Sequence, residues 1–297
     1  MTTILLPFKS SAKSFAPINI LESLARAKGD ESVVYDTRVA VKHQERQVLQ
    51  PTSHSPELSV IVPAYREGEH IYNNMQRLLA ELQATGRDYE VILVSDGNTD
   101  DTVTEAVRVG SPRLRVLSYE TNMGKGYALT YGIQHCRGEL VTLIDADMEL
   151  DPRAIEDFIG LMEQGDYDVV VGSKRHPKSN VRYPAFRRIQ SWAYQMLIRI
   201  LFNLDVRDTQ TGLKLFRRHV LVDVLPRLAV KRFAFDLELL VVAHHLGYRK
   251  IAEAPITLDY QFSSTIGPQA VFDALWDTAA IFYRRYLLRY YDDRAAH

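Results

Sequence analysis

The sequence predicts an α/β fold, with a doubly wound, mostly parallel sheet and helices on both of its faces. From Leu58 onwards, short runs of β-favouring apolar residues alternate with longer segments whose apolar residues recur at helical spacing. The apolar run at 140–144 is typical of a strand that is buried on both faces of a parallel sheet. Strands that alternate with helices in this way are joined by right-handed crossovers.

The predicted elements follow one another regularly as far as Lys174. Strands are expected at 58–63, 89–94, 114–118, 140–144 and 168–171, and helices at 69–82, 101–109, 126–136 and 154–163. After Lys174 the alternation weakens, with helices expected at 184–203, 235–246 and 271–291 and a short strand at 255–260. The expected division is an extension and linker at 1–55, with one short helix at 18–27, a main domain at 56–262 and a C-terminal amphipathic helix at 263–297.

The composition is that of an ordinary globular protein, and it argues against several other classes. Hydrophobic residues make up 46% of the 297 residues and charged residues 25%. The net charge of -1 gives no reason to expect binding to nucleic acid. No stretch reaches the roughly 18 consecutive apolar residues of a membrane-spanning helix. The single cysteine, Cys136, cannot form an internal disulfide, which favours a reducing, cytoplasmic compartment.

Three acids alternate with other residues directly after the predicted strand at 140–144: Asp145, Asp147 and Glu149. In an extended backbone, side chains two residues apart point the same way. Carboxylate oxygens at the carboxyl edge of an α/β sheet, where ligands bind, suit Mg²⁺ or Mn²⁺ together with phosphate oxygens. The alternative is a solvated turn that caps the next helix, with Asp151 at the N-cap and Pro152 at the first helical position.

The loops that follow the first three predicted strands have a similar polar character. They comprise residues 63–68, 95–102 and 122–126, and they should open on the same edge of the sheet as the acids. A flat base can hydrogen-bond to Asp96 and to the backbone near Ala64. The glycines on either side of Lys125 allow the backbone to approach a phosphate or a ribose closely. The sequence therefore predicts one cleft that binds a nucleotide.

Seven motifs, taken in order, resemble those of known enzymes. They are the runs 60–67, 96–102, 122–126, 145–147, 172–175, 208–216 and 235–240. In this order and spacing the chain resembles the family 2 glycosyltransferases of GT-A fold. Within that family it is similar to the polyprenyl-phosphate sugar transferases, the dolichyl-phosphate mannose and glucose synthases. The resemblance covers about residues 58–262.

The resemblance implies a set of site residues. Nucleotide-sugar binding falls to Pro63, Ala64, Tyr65, Glu67, Ser95, Asp96, Gly124, Lys125, Asp145 and Ala146. A metal, Mg²⁺ or Mn²⁺, would be held by Asp145, Asp147 and Glu149, and the residues of the transfer itself would be Asp147, Asp236, Lys174, Arg175 and Lys214. The family usually has two adjacent acids before the glycine of the second loop, and Ser95 stands at the first of them. This departure leaves the preferred nucleotide open.

The function implied by the resemblance is transfer of a hexose from UDP-glucose or GDP-mannose to a polyprenyl or dolichyl phosphate, with inversion. The runs 208–216 and 235–238 look closer to the glucosyl branch, which favours UDP-glucose. An acceptor phosphate is already ionised and needs no strong base, whereas a sugar hydroxyl would need a carboxylate base, with Asp236 or Glu238 as candidates. A third possibility is a sugar-nucleotide-binding module without activity.

Two predicted helices carry aromatic and basic residues together. The helix at 184–203 contains Arg187, Arg188 and Arg199 among its apolar residues, and the helix at 271–291 ends in two arginines flanked by tyrosines. Amphipathic helices of this kind lie in the interface of a bilayer. The same apolar stripes are also compatible with packing on the sheet. We expect a peripheral protein at the cytoplasmic face of a membrane, where a polyprenyl phosphate is found.

Overall fold

The computed structural model of the protein describes residues 55–180, 185–230, 234–258 and 268–292, except for the side chains of 185–190 and 268–270. Within these ranges the strands are β1 (Leu58–Ala64), β2 (Tyr89–Asp96), β3 (Leu114–Tyr119), β4 (Leu140–Leu143), β5 (Val169–Ser173), β6 (Lys214–Arg217) and β7 (Ile251–Pro255). The helices are α1 (Ile71–Ala84), α2 (Thr102–Arg108), α3 (Lys125–Gln134), α4 (Ala154–Gly165), α5 (Ala185–Phe202), α6 (Arg218–Val224), α7 (Phe235–His245) and α8 (Pro268–Phe282). A π-helical turn, Tyr283–Leu287, follows α8.

The strands form one seven-stranded sheet in the order β3-β2-β1-β4-β6-β5-β7. β1 pairs in parallel with β2 and β4, β2 with β3, and β5 with β7. β6 lies between β4 and β5 and is antiparallel to both. The predicted mostly parallel sheet is confirmed, with the refinement that β4 has a parallel neighbour on one side and an antiparallel neighbour on the other.

The apolar strand residues divide between two cores, one on each face of the sheet. Along β1, Val60 and Val62 pack against α1 and α4 on one face, while Ile61 packs against α3 and α7 on the other. Every residue of β1 and β2 is buried. The continuous apolar runs of these strands are therefore explained by burial on both faces, and the predicted helices on both faces are confirmed.

Several predicted elements differ from the observed ones in the second half of the chain. The strand predicted at 255–260 is found instead at Ile251–Pro255, and residues 259–260 lie outside the described ranges. β6 and α6 were not predicted, because β6 is only four residues long and its pairing with β4 is non-local. The helix predicted over 271–291 begins at Pro268 and ends as an α-helix at Phe282.

Part of the predicted organisation falls outside the described ranges. The expected extension at 1–55, with its helix at 18–27, is described only at its last residue. The expected boundary between 262 and 263 lies in the segment 259–267, which is likewise outside the described ranges. Where the chain is described, none of its helices combines the length and the apolar character needed to span a bilayer.

Candidate active site

The loops after β1 and β2 are tied to each other at the carboxyl edge of the sheet. The backbone N–H of Glu67 donates to the Thr102 hydroxyl at 2.9 Å, and that of Gly68 donates to Asp100 Oδ2 at 3.0 Å. The Thr102 hydroxyl in turn donates to Asp100 Oδ1 at 2.6 Å. This network fixes the half-buried Glu67 at the mouth of the cleft.

The residues at the end of β1 that are predicted to contact a nucleotide differ in their exposure to solvent. Pro63 and Ala64 are the last residues of the buried strand. Tyr65 follows them with 41% of its surface exposed. The next residue, Arg66, has a positive φ of 59°, and its guanidinium lies 5.2 Å from the centre of the Tyr65 ring. The turn at Arg66 thus leaves the Tyr65 ring accessible at the edge of the sheet.

Asp96 anchors the glycine loop. Its Oδ1 accepts hydrogen bonds from the Tyr119 hydroxyl at 2.9 Å and from the Met123 N–H at 2.7 Å, and its Oδ2 accepts one from the Gly124 N–H at 2.9 Å. The carboxylate is almost fully buried, as is the neighbouring Ser95, whose hydroxyl donates to the Gly97 carbonyl. The structure therefore gives Asp96 a role in shaping the loop, and its contact with a nucleotide stays a prediction.

Two glycines place Lys125 in the cleft. Gly124 has a φ of 94°, in the region that favours glycine. A Cβ on Gly126 would lie 2.7 Å from the Phe235 ring, so the absence of a side chain lets the start of α3 pack against the start of α7. As a result, Lys125 Nζ lies 2.5 Å from Asp145 Oδ1 and 4.0 Å from Asp236 Oδ2.

Lys214 lies behind Asp236, and its predicted place near a donor or acceptor phosphate stays a prediction. It is fully buried, and its ammonium donates to the Thr211 carbonyl and, at 2.6 Å, to Asp236 Oδ1. Burial alone would raise the pKa of Asp236, but the positive charges of Lys214 and Lys125 outweigh it and hold the pKa below its ordinary value. A carboxylate with a depressed pKa is a weak base, which argues against the predicted role of Asp236 as a proton acceptor.

The other candidate base, Glu238, belongs to the protein interior. Its Oε2 accepts hydrogen bonds from the backbone N–H groups of Ala229 and Val230 at 2.9 and 2.7 Å. Its Oε1 accepts one from the Tyr291 hydroxyl at 2.7 Å and lies 3.2 Å from the Arg284 guanidinium. Glu238 is fully buried. The prediction of Glu238 as a base for a hydroxyl acceptor is therefore wrong.

The acids after β4 lie on a turn and not on an extended strand. The chain leaves the strand after Leu143 and bends at 146–147, and Met148 has a φ of 51°. Asn74 of α1 donates its amide to the Ala146 carbonyl at 2.9 Å and so fixes the bend. The predicted alignment of three acids at every second position is therefore wrong. Among the residues that the structure describes, no three histidine, cysteine or acidic side chains are arranged to hold a metal ion.

Negative charge accumulates at Asp147, at the mouth of the cleft. Its Oδ1 accepts a hydrogen bond from the Glu149 N–H at 3.1 Å. Burial raises the pKa of Asp147, and the charge of Asp145 adds to the rise. The positive charges of Lys125 and Lys174 act in the opposite direction without cancelling it. The charged form of Asp147 is therefore under-stabilised, as expected of a carboxylate that binds a cation.

Glu67 and Glu149 extend this region of negative charge. Burial raises the pKa of each, and the charge of Asp147 raises both further. Mg²⁺ is commonly held by one or two carboxylates and completed by phosphate oxygens of the substrate. Hard carboxylate oxygens with uncompensated charge fit Mg²⁺ or Mn²⁺ in that manner, although three protein ligands are not preassembled.

Two contributors to this site were not predicted. A Cβ on Gly212 would lie 2.1 Å from Asp145 Oδ2, so the loop before β6 contacts this carboxylate directly. The sequence pattern places Gly212 in a motif but indicates no partner for it. The second contributor, Asn74, could have been noticed in the sequence, because asparagine is unfavourable inside a helix. Its position within α1 therefore suggested that its side chain has a specific partner.

Lys174 and Arg175 follow β5 and reach different surroundings. The Lys174 N–H donates to Asp208 Oδ2 at 3.2 Å, and Lys174 is close enough to act electrostatically on Asp147 and Glu149. The Arg175 guanidinium donates to the Ser191 hydroxyl at 2.7 Å. Arg175 also borders a cavity of about 270 Å³ beside α5, together with Trp192, Gln195, Met196, Arg199, Asp205, Val206 and Arg207.

Residues 59–225 match the sequence model of glycosyl transferase family 2. The chain is 31% identical over 216 residues to glycosyltransferase AglD of Haloferax volcanii, covering 71% of this chain and 34% of AglD. It is 30% identical to a dolichyl-phosphate beta-glucosyltransferase of Dictyostelium discoideum, covering 76% of this chain and 74% of the relative. With the enzyme of the same name from Drosophila melanogaster, identity is 35% and the match covers 65% of this chain and 64% of the relative. The chain thus spans about a third of AglD and larger shares of the other two relatives.

Solved structures share the fold at low sequence identity. Glucosyl-3-phosphoglycerate synthase from Mycobacterium tuberculosis, in complex with Mn²⁺ and UDP-glucose, has a TM-score of 0.58 and 19% identity, covering 77% of this chain and 79% of that one. Mannosyl-3-phosphoglycerate synthase from Rubrobacter xylanophilus has a TM-score of 0.56 and 16% identity, covering 77% of this chain and 74% of that one. The predicted GT-A fold is confirmed.

Proposed function

We propose that this chain, which belongs to glycosyl transferase family 2, transfers a hexose from a nucleotide sugar to a polyprenyl phosphate with inversion at the anomeric carbon. Four of the relatives are named dolichyl-phosphate beta-glucosyltransferases. A beta product from an α-linked nucleotide sugar requires inversion. The acceptor in the names of these relatives is therefore assigned to this chain as well.

The hydrogen bonds of the two acids on α7, Asp236 and Glu238, indicate whether the acceptor is a hydroxyl or a phosphate. A hydroxyl acceptor needs a base to remove its proton, whereas a phosphate reacts as an anion. Asp236 is bonded to Lys214 and has a depressed pKa, and Glu238 accepts hydrogen bonds from two backbone N–H groups and Tyr291. Neither acid is suited to act as a base, which favours a phosphate acceptor.

In the proposed reaction an oxygen of the acceptor phosphate forms a bond to the anomeric carbon. The bond between that carbon and the donor diphosphate breaks, and the diphosphate leaves with the electron pair. Lys125 and Lys174 are placed to offset the charge of the two anions as they approach. A divalent metal held by Asp147 and Asp145 would neutralise the diphosphate leaving group.

We assign UDP-glucose as the donor. The names of the relatives specify glucose, and several solved neighbours are complexes with UDP or UDP-glucose. At the base of the proposed nucleotide site, Ser95 and Asp96 are buried beneath the glycine loop, while Tyr65 offers an exposed ring on which a base can stack. Mg²⁺ and Mn²⁺ are both compatible with the carboxylate ligands.

The acceptor is proposed to reach the cleft from a bilayer surface along α5. Trp192, Met196 and Ile200 are spaced four residues apart on this helix, and 57% of Trp192 and 73% of Ile200 is exposed. The helix α8, which is joined to α5 by a hydrogen bond of 2.9 Å between Tyr194 and Thr278, also carries exposed apolar residues. They are Val271, Phe272, Leu275 and Trp276.

The cavity beside α5 combines the two chemistries of a polyprenyl phosphate. Trp192 and Met196 supply apolar walls, and Arg175 supplies positive charge. Arg199 and Arg207 also line the cavity, where they pair with Asp205 and Glu253. Interfacial helices bury such apolar residues at the level of the headgroups. We therefore propose peripheral association with a bilayer, at its cytoplasmic face as the lone Cys136 favours. The predicted contribution of Arg187 and Arg188 concerns side chains outside the described ranges.

The decisive experiment compares acceptors that differ in one group. Protein, Mn²⁺ and UDP-[¹⁴C]glucose are incubated with polyprenyl phosphate or with the corresponding polyprenol, which ends in a hydroxyl. Label should enter the organic phase with the phosphate alone and be released by mild acid, as expected of a glycosyl phosphate. GDP-mannose should donate poorly. Transfer to polyprenol or to a free sugar, but not to the phosphate, would refute the proposal.

A further inference from the structure

Charges alternate along a line of four side chains that runs from the protein interior into the cleft. Lys214 is fully buried and lies 2.6 Å from Asp236. Asp236 lies 4.0 Å from Lys125, and Lys125 lies 2.5 Å from Asp145. The two carboxylates are thus each within reach of the Lys125 ammonium, which occupies the position of a cation between them.

Packing holds both ends of this line in place. Asp236 is fixed by Lys214, whose ammonium also bonds to the Thr211 carbonyl. The contact of Gly126 with Phe235 sets the distance between α3 and α7, and Gly212 lies against the Asp145 carboxylate. The lysine side chain between these groups is half-buried. It is therefore the component of the line that can move while the others stay.

We propose that Lys125 is the resident cation of the donor-free cleft and that it exchanges places with a divalent metal ion when the nucleotide sugar binds. In the donor-free state its ammonium pairs with the Asp145 carboxylate. When a diphosphate enters, the ammonium turns to the diphosphate oxygens while remaining near Asp236, and Asp145 becomes a metal ligand. The exchange rests on the proposed function, and it makes Lys125 a positioning residue as well as a donor ligand.

The surroundings of Asp145 and Asp147 support the proposed exchange, because Lys125 pairs with only one of the two carboxylates. Asp145 is held by Lys125, whereas the bond that Asp147 accepts comes from the backbone of Glu149. In the donor-free site, the ammonium of Lys125 offsets the charge of Asp145 but does not pair with Asp147. A divalent ion that enters this site can therefore bind Asp147 but must compete with Lys125 for Asp145. When a diphosphate draws Lys125 away, Asp145 becomes available to the metal ion. The metal ion and the nucleotide should therefore each increase the affinity of the protein for the other.

Manganese binding measured by electron paramagnetic resonance tests the exchange without any transfer reaction. Mn²⁺ is titrated into the full chain with and without UDP, for the wild type, Lys125→Met and Lys250→Met. Lys250 is the matched control, because its ammonium also pairs with a carboxylate, that of Asp166 at 2.7 Å, at the opposite edge of the sheet. Without UDP, Lys125→Met should bind Mn²⁺ about tenfold more tightly than the other two proteins, because one adjacent positive charge is gone.

The same titrations measure the coupling between metal and nucleotide. In the wild type and Lys250→Met, UDP should increase the affinity for Mn²⁺ strongly, whereas in Lys125→Met the increase should be several-fold smaller. Lys125→Arg, which keeps the charge, should resemble the wild type without UDP. Equal or weaker Mn²⁺ binding by Lys125→Met, or no Mn²⁺ binding by any variant even with UDP, would overturn the exchange. Failure of transfer to polyprenyl phosphate would leave these titrations interpretable, so the two proposals fail separately.

Discussion

Gly212 lies directly against Asp145, so that a Cβ on the glycine would be 2.1 Å from Oδ2 of the carboxylate. The two residues are 67 positions apart in the sequence and meet because β6, which follows Gly212, pairs with β4, which precedes Asp145. The loop before β6 therefore forms one wall of the site that holds this acid. A side chain at this position cannot be accommodated without displacing the carboxylate.

Gly212→Ala should reduce hexose transfer by about 100-fold, because a displacement of about 1 Å at a reacting group has an effect of that order. Gly160→Ala is the matched control. Gly160 lies within α4 with open space around the position of a Cβ, and alanine there should preserve activity and add up to about 1 kcal/mol of stability. Initial rates and thermal unfolding of both variants check this. Full activity of Gly212→Ala would show that the Asp145 carboxylate tolerates displacement.

Asp147→Ala should abolish transfer and remove the dependence of donor binding on Mn²⁺ or Mg²⁺. Asp145→Asn should have nearly the same effect, whereas Glu149→Gln should cost far less, because an amide oxygen can still coordinate a metal. Isothermal titration of UDP in the presence and absence of Mn²⁺ separates these effects from the rate of transfer. Retention of activity and of metal dependence by Asp147→Ala would rule out its role as a ligand.

The acids at the mouth of the cleft should lower the stability of the donor-free protein. Burial first, and then neighbouring negative charge, raise the pKa of Asp147 and Glu67 in the folded state. An acid with a raised pKa destabilises the folded state above that pKa, and the penalty disappears as the pH falls to the ordinary value of the unfolded chain. Asp147→Asn should therefore have a higher Tm than the wild type at pH 7.

The gain in Tm of Asp147→Asn should shrink as the pH falls through the raised pKa. Asp157→Asn removes an exposed acid from the first turn of α4, where a negative charge stabilises a helix, so this variant should not exceed the wild type in Tm at pH 7. Calorimetric scans from pH 7 down to about pH 4, near the ordinary pKa of aspartate, provide the comparison. A variant at Asp147 that is less stable than the wild type at pH 7 would contradict the attribution.

Removing Lys214 should destabilise the protein strongly. The side chain is fully buried against Asp236, and loss of one partner of a buried ion pair costs about 3–5 kcal/mol. Lys214→Met should lose stability of that order in urea unfolding, and Lys214→Met/Asp236→Asn should recover part of it. Lys250→Met, which breaks an exposed pair with Asp166, should change stability little. Similar stabilities for Lys214→Met and Lys250→Met would mean that Asp236 is solvated.

The sheet and the position of the cleft follow from local sequence patterns. The buried strands β1 and β2 are continuous apolar runs, and the apolar face of α1 recurs at helical spacing. Parallel strands direct their carboxyl ends to one edge, so the sequence alone suffices to assign Glu67, Asp96 and Lys125 to one cleft. Continuous apolar runs and patterns of period 3.6 carry this information because they depend on neighbours in the chain.

The arrangement of charges within the cleft depends on contacts that no local pattern contains. The bend at Met148 removes the alignment expected for three alternating acids. Lys214 is buried because β6 lies between two other strands, and a strand of four residues has no periodicity to reveal it. A motif indicated that Lys214 and Asp236 matter, but no local pattern revealed that they pair with each other.

The exposed surface of α5 gives the remaining prediction. Ile200→Glu and Trp192→Glu each place a charge where the proposed interface with a bilayer lies, and burying that charge in the interface is unfavourable. Both variants should sediment less with vesicles that contain anionic lipid and should transfer glucose more slowly to long-chain polyprenyl phosphate. Their affinity for UDP should stay that of the wild type.

Val222→Glu is the matched control for these variants. Val222 is an exposed apolar residue, 56% accessible, but it belongs to α6, which follows β6 at the opposite edge of the sheet from the cleft. The same charge there should leave vesicle binding unchanged. If the wild type stays in the supernatant with anionic vesicles at low salt, the proposed association of α5 with a bilayer is refuted. If all three variants lose binding equally, the effect comes from net charge and α5 has no special part in it.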